Sequence, residues 1–335
     1  MARKINWESQ IGSRLRLRDL HVFSTVVERG SMAKAAERLG ISQPAVSEVV
    51  ADLEHQLSVK LLDRGPRGVE PTIYGRTLLK RSLAAFDELK QGIKDIEFLA
   101  DPTSGDISIG CPESLAASIL PPVIQQFSQR YPGVALEIKS VASPALDLPE
   151  LRERRLDIVI ERMSRPLVVD GDDLNVEILF HDNLIVAAGA QSRWAKRDKI
   201  DLAELVNERW ILAPAHSWGE KTMAQAFRAR DLDLPRRRVT TFSVHLRNYL
   251  LATGDYITAL PKSVLAVHAD RFSLKMLPVD LPVRPWPVVV ATLRGRTLSP
   301  VAQRFVEQLR VVAKSLAGEP LPERTDKTLA EVAHA

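Results

Sequence analysis

The sequence predicts an α/β protein in three parts: a mainly α N-terminal domain, one long helix, and a larger region where strands and helices alternate. Three observations carry this. Two short helical segments with small residues at their crossing meet at Gly40; an apolar stripe spaced by three and four runs from Leu79 to Leu99; and from Gly105 onward β-rich runs alternate with helical ones.

Composition bounds the function. The chain has 335 residues, a net charge of +4, 45% hydrophobic and 26% charged residues, as in an ordinary globular protein of two or three domains. No apolar run approaches the roughly 18 residues of a membrane span. The segment MARKINWESQIGSR is basic without the apolar stretch of a signal peptide, so a cytoplasmic protein with no membrane partner is expected. The single cysteine, Cys111, rules out an internal disulfide framework and fits a reducing compartment. The small positive charge permits an anionic partner without identifying one. Residues 1–72 hold eleven Lys or Arg against nine Asp or Glu, so any nucleic-acid surface depends on local grouping, as at Arg14, Arg16 and Arg18 or Arg64 and Arg67.

Residues 17–28, LRDLHVFSTVVE, place Leu17, Leu20, Phe23, Val26 and Val27 at helical spacing. Gly30 stops that helix and Ser31 caps the next, which buries Met32, Ala35, Ala36 and Leu39. Gly40 supplies the left-handed stop. Ser42 caps a third helix with Pro44 in its first turn, where a missing N–H costs nothing, and with Val46, Val49, Val50, Leu53 and Leu57 as its buried stripe. A glycine turn between helices that cross on alanines is the pattern of a helix-turn-helix. An ordinary helical hairpin is the competing reading. Against it, the exposed start of the third helix carries Ser42, Gln43, Ser47 and Glu48, and VKLLDRGPRGVEPT reads as two short strands around a Gly-Pro-Arg-Gly turn, like a DNA-binding wing.

Thr72 caps a long helix reaching about Ala100, with Leu79, Leu83, Phe86, Leu89, Ile93, Ile96 and Leu99 on one stripe. A stripe of that length between a small and a large domain predicts pairing with a second copy. Asp101-Pro102-Thr103-Ser104-Gly105 reads as a hinge. Beyond it DISIGC, VALEIKSV and LDIVIER are strand-like, with helical segments at 115–130 and 144–155, which predicts a parallel sheet. LIVAAGA, RWILAP, RRVTTFSV, YITAL and SLKMLPV form a second set, followed by the strand PWPVVVATL and the helix SPVAQRFVEQLRVVAKSL. Residues 317–335 read as a flexible tail.

These segments resemble the LysR-type transcriptional regulators. The resemblance rests on LRDLHVFSTVVERGSMAKAAERLGISQPAVSEVVADLEHQLSVKLLDR and RGVEPTIYGRTLL, with Ala-Ala-x-x-Leu, Ser-Gln-Pro-Ala-Val-Ser and the Leu-Glu six residues past it. It continues more loosely through YPGVALEI, LDIVI, RWILAP and ITALP to about residue 316. It implies a winged helix-turn-helix over 15–72, a dimerising linker helix over 73–101, and an effector-binding domain over 106–316 like that of periplasmic binding proteins. Lobe one would be 106–179 with 284–316, and lobe two 180–283. It further implies sequence-specific binding to double-stranded DNA, a small-molecule effector, a homo-oligomer built as a dimer of dimers, and RNA polymerase as a further candidate partner. Three positions depart from the family's usual pattern: Glu48 where a basic or amide residue is common, Leu62 where a Phe is common, and Pro71-Thr72-Ile73-Tyr74-Gly75 for Leu-Thr-x-Ala-Gly.

On that reading Gln43 and Ser47, one turn apart, meet base edges; Gln43 suits adenine, and Pro44 and Ala45 suit a thymine methyl. Ser31, Lys34 and Ser42 suit phosphates, and Arg64 and Arg67 a minor groove or backbone. Glu48 can accept from a cytosine amine. No Walker loop, HExxH, G-x-S-x-G or paired CxxC occurs, and the seven histidines, His55 and His245 among them, lack metal-ligand spacing, so neither an enzyme nor a cofactor or metal is expected. Ligands of open α/β lobes sit beyond the carboxyl ends of strands, against helix N-termini. Cys111, Ser114, Ser143, His216 and Ser243 are the candidates there, with Trp218 as an apolar wall and Cys111 otherwise an inert buried thiol. Free helix N–H groups favour an anion while Glu113 and Glu161 oppose one, so a carboxylate and a neutral or aromatic effector both stay open. The rival architecture is a stand-alone small-molecule-binding module whose helical N-terminus serves only assembly.

Overall fold

In the computed structural model, residues 15–65, 68–141, 148–163, 173–215, 217–236 and 238–316 are described. The chain divides between Ile93 and Lys94 into two compact units. In the first, α1 (Leu17–Arg29), α2 (Met32–Leu39) and α3 (Gln43–Leu57) precede β1 (Leu62–Gly65), β2 (Gly68–Pro71) and the start of α4 (Ile73–Ala100). Ser31 Oγ accepts from the Lys34 N–H and Ser42 Oγ from the Ala45 N–H, so both expected caps form. Gly40 has φ +68°, a conformation that would strain any side chain. Phe23, Val26, Ala35, Val46, Val50 and Leu53 are fully buried together. Val22 and Thr25 join the α1 face, whereas Leu17 is exposed. Leu62, smaller than the family's usual Phe, is buried all the same.

The wing is an antiparallel pair, Leu62 facing Pro71 and Gly65 facing Gly68. It is tied to α3 through one buried carboxylate. Glu54 Oε1 accepts from the Leu61 and Leu62 N–H groups (2.8 and 3.2 Å), and Oε2 from Lys60 Nζ (2.8 Å). Thr72 Oγ1 donates to the Lys60 carbonyl and accepts from the Gly75 N–H, starting α4. A Cβ at Gly75 would stand 2.0 Å from the Leu61 carbonyl oxygen, so α4 can lie this close to the wing only with glycine there.

The expected stripe of α4 divides. Leu79 packs on the winged core and Phe86 meets His21 edge-on, their centroids 6.0 Å apart. Leu89, Ile93, Ile96 and Leu99 are 51%, 58%, 67% and 81% exposed.

In the second unit the expected hinge shortens, because the next strand already begins at Ser104 and Asp101 Oδ1 accepts from both N–H and Oγ1 of Thr103. The elements are β3 (Ser104–Cys111), α5 (Glu113–Ala116), α6 (Leu120–Arg130), β4 (Gly133–Ser140), α7 (Pro149–Arg152), β5 (Ile158–Arg162), β6 (Leu174–Asp182), β7 (Leu184–Gly189), β8 (Trp210–Leu212), α8 (Trp218–Arg228), β9 (Arg238–Thr240), α9 (Val244–Ala252), β10 (Ile257–Pro261), α10 (Lys262–Phe272), β11 (Leu274–Met276), β12 (Trp286–Leu293) and α11 (Pro300–Leu316). They build two five-stranded sheets, in orders β4-β3-β5-β12-β6 and β11-β7-β10-β8-β9.

The expectation of a parallel sheet is corrected: both sheets are mixed. β3 pairs in parallel with β4 and β5, but β12 runs antiparallel to β5 and β6. In the second sheet β10 and β8 are parallel, as are β8 and β9, but β7 opposes β10 and β11. β6 has no counterpart in the sequence reading, and it extends past residue 179, so the first crossing between lobes falls after Asp182. The expected helix at 115–130 is broken into α5 and α6, and of the one at 144–155 only α7 lies among the described residues.

Along β12, Val288 and Val290 face the α6 and α11 side while Val289, Ala291 and Leu293 face the other side, so both faces of the strand are apolar. Among the described residues no helix is long and apolar enough to cross a membrane.

The Glu54 carboxylate gives a direct test. Burial alone would raise its pKa; the bonds from Lys60, Leu61 and Leu62 outweigh this and lower it. Glu54→Ala orphans two N–H groups beside buried Leu61 and Leu62 and should cost the winged unit about 2–4 kcal/mol in denaturant unfolding. A lowered carboxylate pKa stabilises at pH above its ordinary 4.5 and loses that contribution as pH falls through the lower folded value. Glu54→Gln should therefore flatten the acid limb of the stability profile.

Candidate functional sites

The first candidate site is the start of α3. Ser42, Gln43, Pro44 and Glu48 are exposed and Ala45 and Ser47 half-buried, on a helix whose opposite face is locked by Val46, Val50 and Leu53. Lys34 on α2 and Arg64 on β1 are exposed, and Ser31 is half-buried while capping α2. Arg67 and Arg14 lie outside the described residues; Arg16 and Arg18 are exposed at the head of α1. The cap geometry has a chemical consequence: Ser42 holds the helix start in register, so the next three side chains project from a fixed first turn.

The second site is a cleft of about 470 Å³ between the two sheets of the second unit. Its walls are mostly apolar, from Leu184, Ile211, Met223 and Phe242, with Ser114, Arg162 and Arg247 at one end. The carboxyl end of β5 supplies Arg162. Every residue of β5 is buried, so this cation must be paired inside the protein. Arg162 Nη2 bonds Asp182 Oδ2 at 3.0 Å and Ser263 Oγ at 3.3 Å, and Nη1 donates to Ser114 Oγ at 2.7 Å. Asp182 also accepts from the Ser263 N–H and hydroxyl, capping α10. Burial draws the Arg162 pKa down, and Asp182 acts the other way.

Ser114 lines the cleft as expected. Ser243 does not line it; its Oγ caps α9 by accepting from the Leu246 N–H. Ser143, His216 and the side chain of Trp218 lie outside the described residues. His55 and His245 are exposed, and among the described residues no cluster could hold a metal ion. The expectation of free helix N–H groups at α9 is corrected: Glu113 Oε1, reaching across from α5, accepts from the Val244 N–H at 2.8 Å. A second bond crosses between the lobes where His268 Nε2 meets the Ala117 carbonyl at 3.0 Å.

Sequence reasoning missed Arg162, Asp182, Arg247 and Ser263. Arg162 carried a signal, a charge closing the apolar run LDIVIER. Arg247 did not: on α9 it looks like any surface arginine. Yet its Nε and Nη2 are screened from solvent and hydrogen-bond to nothing among the described residues. Burial, then Arg162, push its pKa down to about 10 while Glu113 partly offsets this.

Cys111 ends β3 and is 1% exposed. Burial, helped by Glu161, pushes its thiol up to about 12. With so little thiolate, iodoacetamide at pH 8 should leave the folded chain unlabelled and alkylate Cys111 only after unfolding, read by mass spectrometry.

Comparison with known proteins identifies the family of both parts of the chain. Residues 17–76 match the bacterial regulatory helix-turn-helix protein, lysR family, and residues 100–314 match the LysR substrate binding domain. GltC of Bacillus subtilis, a transcriptional dual regulator, is 28% identical over 305 residues, covering 88% of this chain and 96% of that one. The transcriptional regulator GbpR of Azospirillum brasilense is 27% identical over 309 residues, covering 92% and 89%. In fold, the chain is similar to a full-length OxyR variant from Pseudomonas aeruginosa, with a TM-score of 0.61 at 21% identity over 93% of this chain and 99% of that one. With the two matched domains spanning most of its length, the chain belongs to the LysR family of transcriptional regulators and is not an enzyme.

Proposed function

We propose that the first turn of α3 reads promoter DNA in the major groove, and that a small effector seated between the lobes alters how it does so. The supporting observation is the exposed row Ser42, Gln43, Pro44 and Glu48, held on a helix whose other face is anchored by buried Val46, Val50 and Leu53. Gln43 and Ser47 take base edges, Pro44 and Ala45 a thymine methyl, and Glu48 a cytosine amine. Ser31, Lys34, Ser42 and Arg64 take phosphates, and Arg67, outside the described residues, is proposed for the same role. The regulator works in the cytoplasm, with RNA polymerase as a further partner at the promoter.

Gln43→Ala should lose roughly 1–3 kcal/mol of discrimination at one base pair, whereas Arg64→Ala should weaken all sequences alike and flatten the salt dependence. Binding titrations against single-base operator variants separate the two. An unchanged preference in Gln43→Ala would remove α3 as the reading helix.

The exposed row Leu89, Ile93, Ile96 and Leu99 supports pairing of α4 with a second copy, and two such pairs assemble into a dimer of dimers. Leu83 and Phe86, half-buried, also serve their own chain. The cleaner test is therefore Leu89→Glu with Ile96→Glu. Light scattering should show a smaller species, and DNA binding should weaken because two half-sites are no longer held together. Full-size particles from this variant would assign the stripe another role.

In the effector cleft, Ser114 is the expected residue that the described geometry supports best; Cys111 is too buried to offer its thiol, and Ser243 serves as a cap. A ligand that touches both lobes binds one arrangement of them better than another, and only that difference can shift the equilibrium.

A further inference from the structure

We infer that the cleft takes an effector with a single carboxylate on an apolar or aromatic body, and that Arg247 is its anchor. This rests on the effector-cleft reading above and names the ligand's chemical class.

Arg247 lines the cleft with Nε and Nη2 screened from solvent and without hydrogen-bond partners among the described residues. Buried donors are normally satisfied, and a buried cation needs a counter-charge. The surrounding charges are already engaged. Arg162 is neutralised by Asp182, Glu113 gives Oε1 to the Val244 N–H, and Glu161 Oε1 accepts from the Arg162 N–H. His268, on α10, is spent on the Ala117 carbonyl, and burial lowers its pKa, so it adds no firm charge. Arg162 adds a third orphan donor, Nε, which has no partner there either. A carboxylate beside Arg247 satisfies Nε and Nη2 together in the paired geometry that guanidinium and carboxylate share.

The rest of the cleft limits the ligand to one charge. Glu113 and Glu161 also line it, so a second carboxylate meets repulsion, while Leu184, Ile211, Met223 and Phe242 offer apolar surface for the ligand body. About 470 Å³ admits a molecule of that kind.

The test uses the full chain with phenylacetate and 4-methylpentanoate as monoanions, their primary amides as neutral isosteres, and phenylmalonate as the dianion. Calorimetry and melting curves are recorded for the parent, Arg247→Gln, Arg247→Lys and the cleft-filling Ala259→Trp, with circular dichroism checking each fold. Both monocarboxylates should bind and raise the melting temperature, with amides and dianion at least about tenfold weaker. Arg247→Gln should weaken the acids roughly 10- to 100-fold, with Arg247→Lys in between. Arg247→Gln should also melt no lower than the parent without ligand, because it removes a buried cation that Glu113 only partly offsets. Amides binding as well as acids, a dianion binding best, or no binding by either acid overturns the inference using the parent alone. Unchanged acid binding in Arg247→Gln overturns it as well. Ligand binding that survives Ala259→Trp overturns the cleft reading itself; amides binding as well as acids in the parent, with both abolished by Ala259→Trp, leave that reading standing and sink only the anion.

Discussion

The second unit depends on one buried guanidinium. Arg162 is 6% exposed at the carboxyl end of a strand buried throughout, and bringing an unpaired cation there would cost several kcal/mol. Its partners explain much of the local architecture. Asp182 closes β6 at the point where the chain passes from one sheet to the other, and the same carboxylate caps α10 through Ser263. Ser114, at the start of α5, takes the remaining arm. One side chain thus joins the end of β6 at the first crossing, the start of a helix in each lobe, and the polar end of the cleft. The cleft opens beside that pairing, which supplies Ser114 and Arg162 to its lining, and two further bonds, Val244 N–H to Glu113 and His268 to Ala117, cross between the lobes.

The winged unit obeys a similar rule with the opposite sign. There the buried charge is Glu54, and it satisfies two backbone N–H groups together with Lys60. The carboxylate fixes the strand after α3, Thr72 fixes the helix after the wing, and Gly75 lets that helix approach. With the rigid side so secured, the outward turn of α3 is free of structural duty except for the Ser42 cap. This division of labour leaves Ser42, Gln43, Pro44 and Glu48 exposed on a fixed turn, as the proposed reading of DNA requires.

Much of this was legible in the sequence, for identifiable reasons. Gly30, Gly40, Ser31 and Ser42 are local signals, and caps act within one turn, so the helices of the winged unit follow from short-range chemistry. Strand direction does not. Alternating strands and helices suggested parallel sheets, but β6 arrives unannounced in LNVEILFHD, whose buried positions do not alternate, and β12 returns against its neighbours. The α4 stripe read as one face because spacing cannot say which apolar residues find partners within their own chain. The cleft was the least legible. Arg162 meets Asp182 from 20 residues away and Ser263 from 101, and nothing local distinguishes Arg247 from a solvated arginine.

If the molecule is a paired reader of DNA, selection from a pool of random duplexes tests this most directly. The full-length chain, taken through several rounds, should enrich an inverted repeat whose half-site centres lie about one helical turn, roughly 10–10.5 base pairs, or a multiple of it apart. Enrichment of single unpaired sites would contradict the pairing through α4, and a pool that stays random would contradict sequence reading by α3.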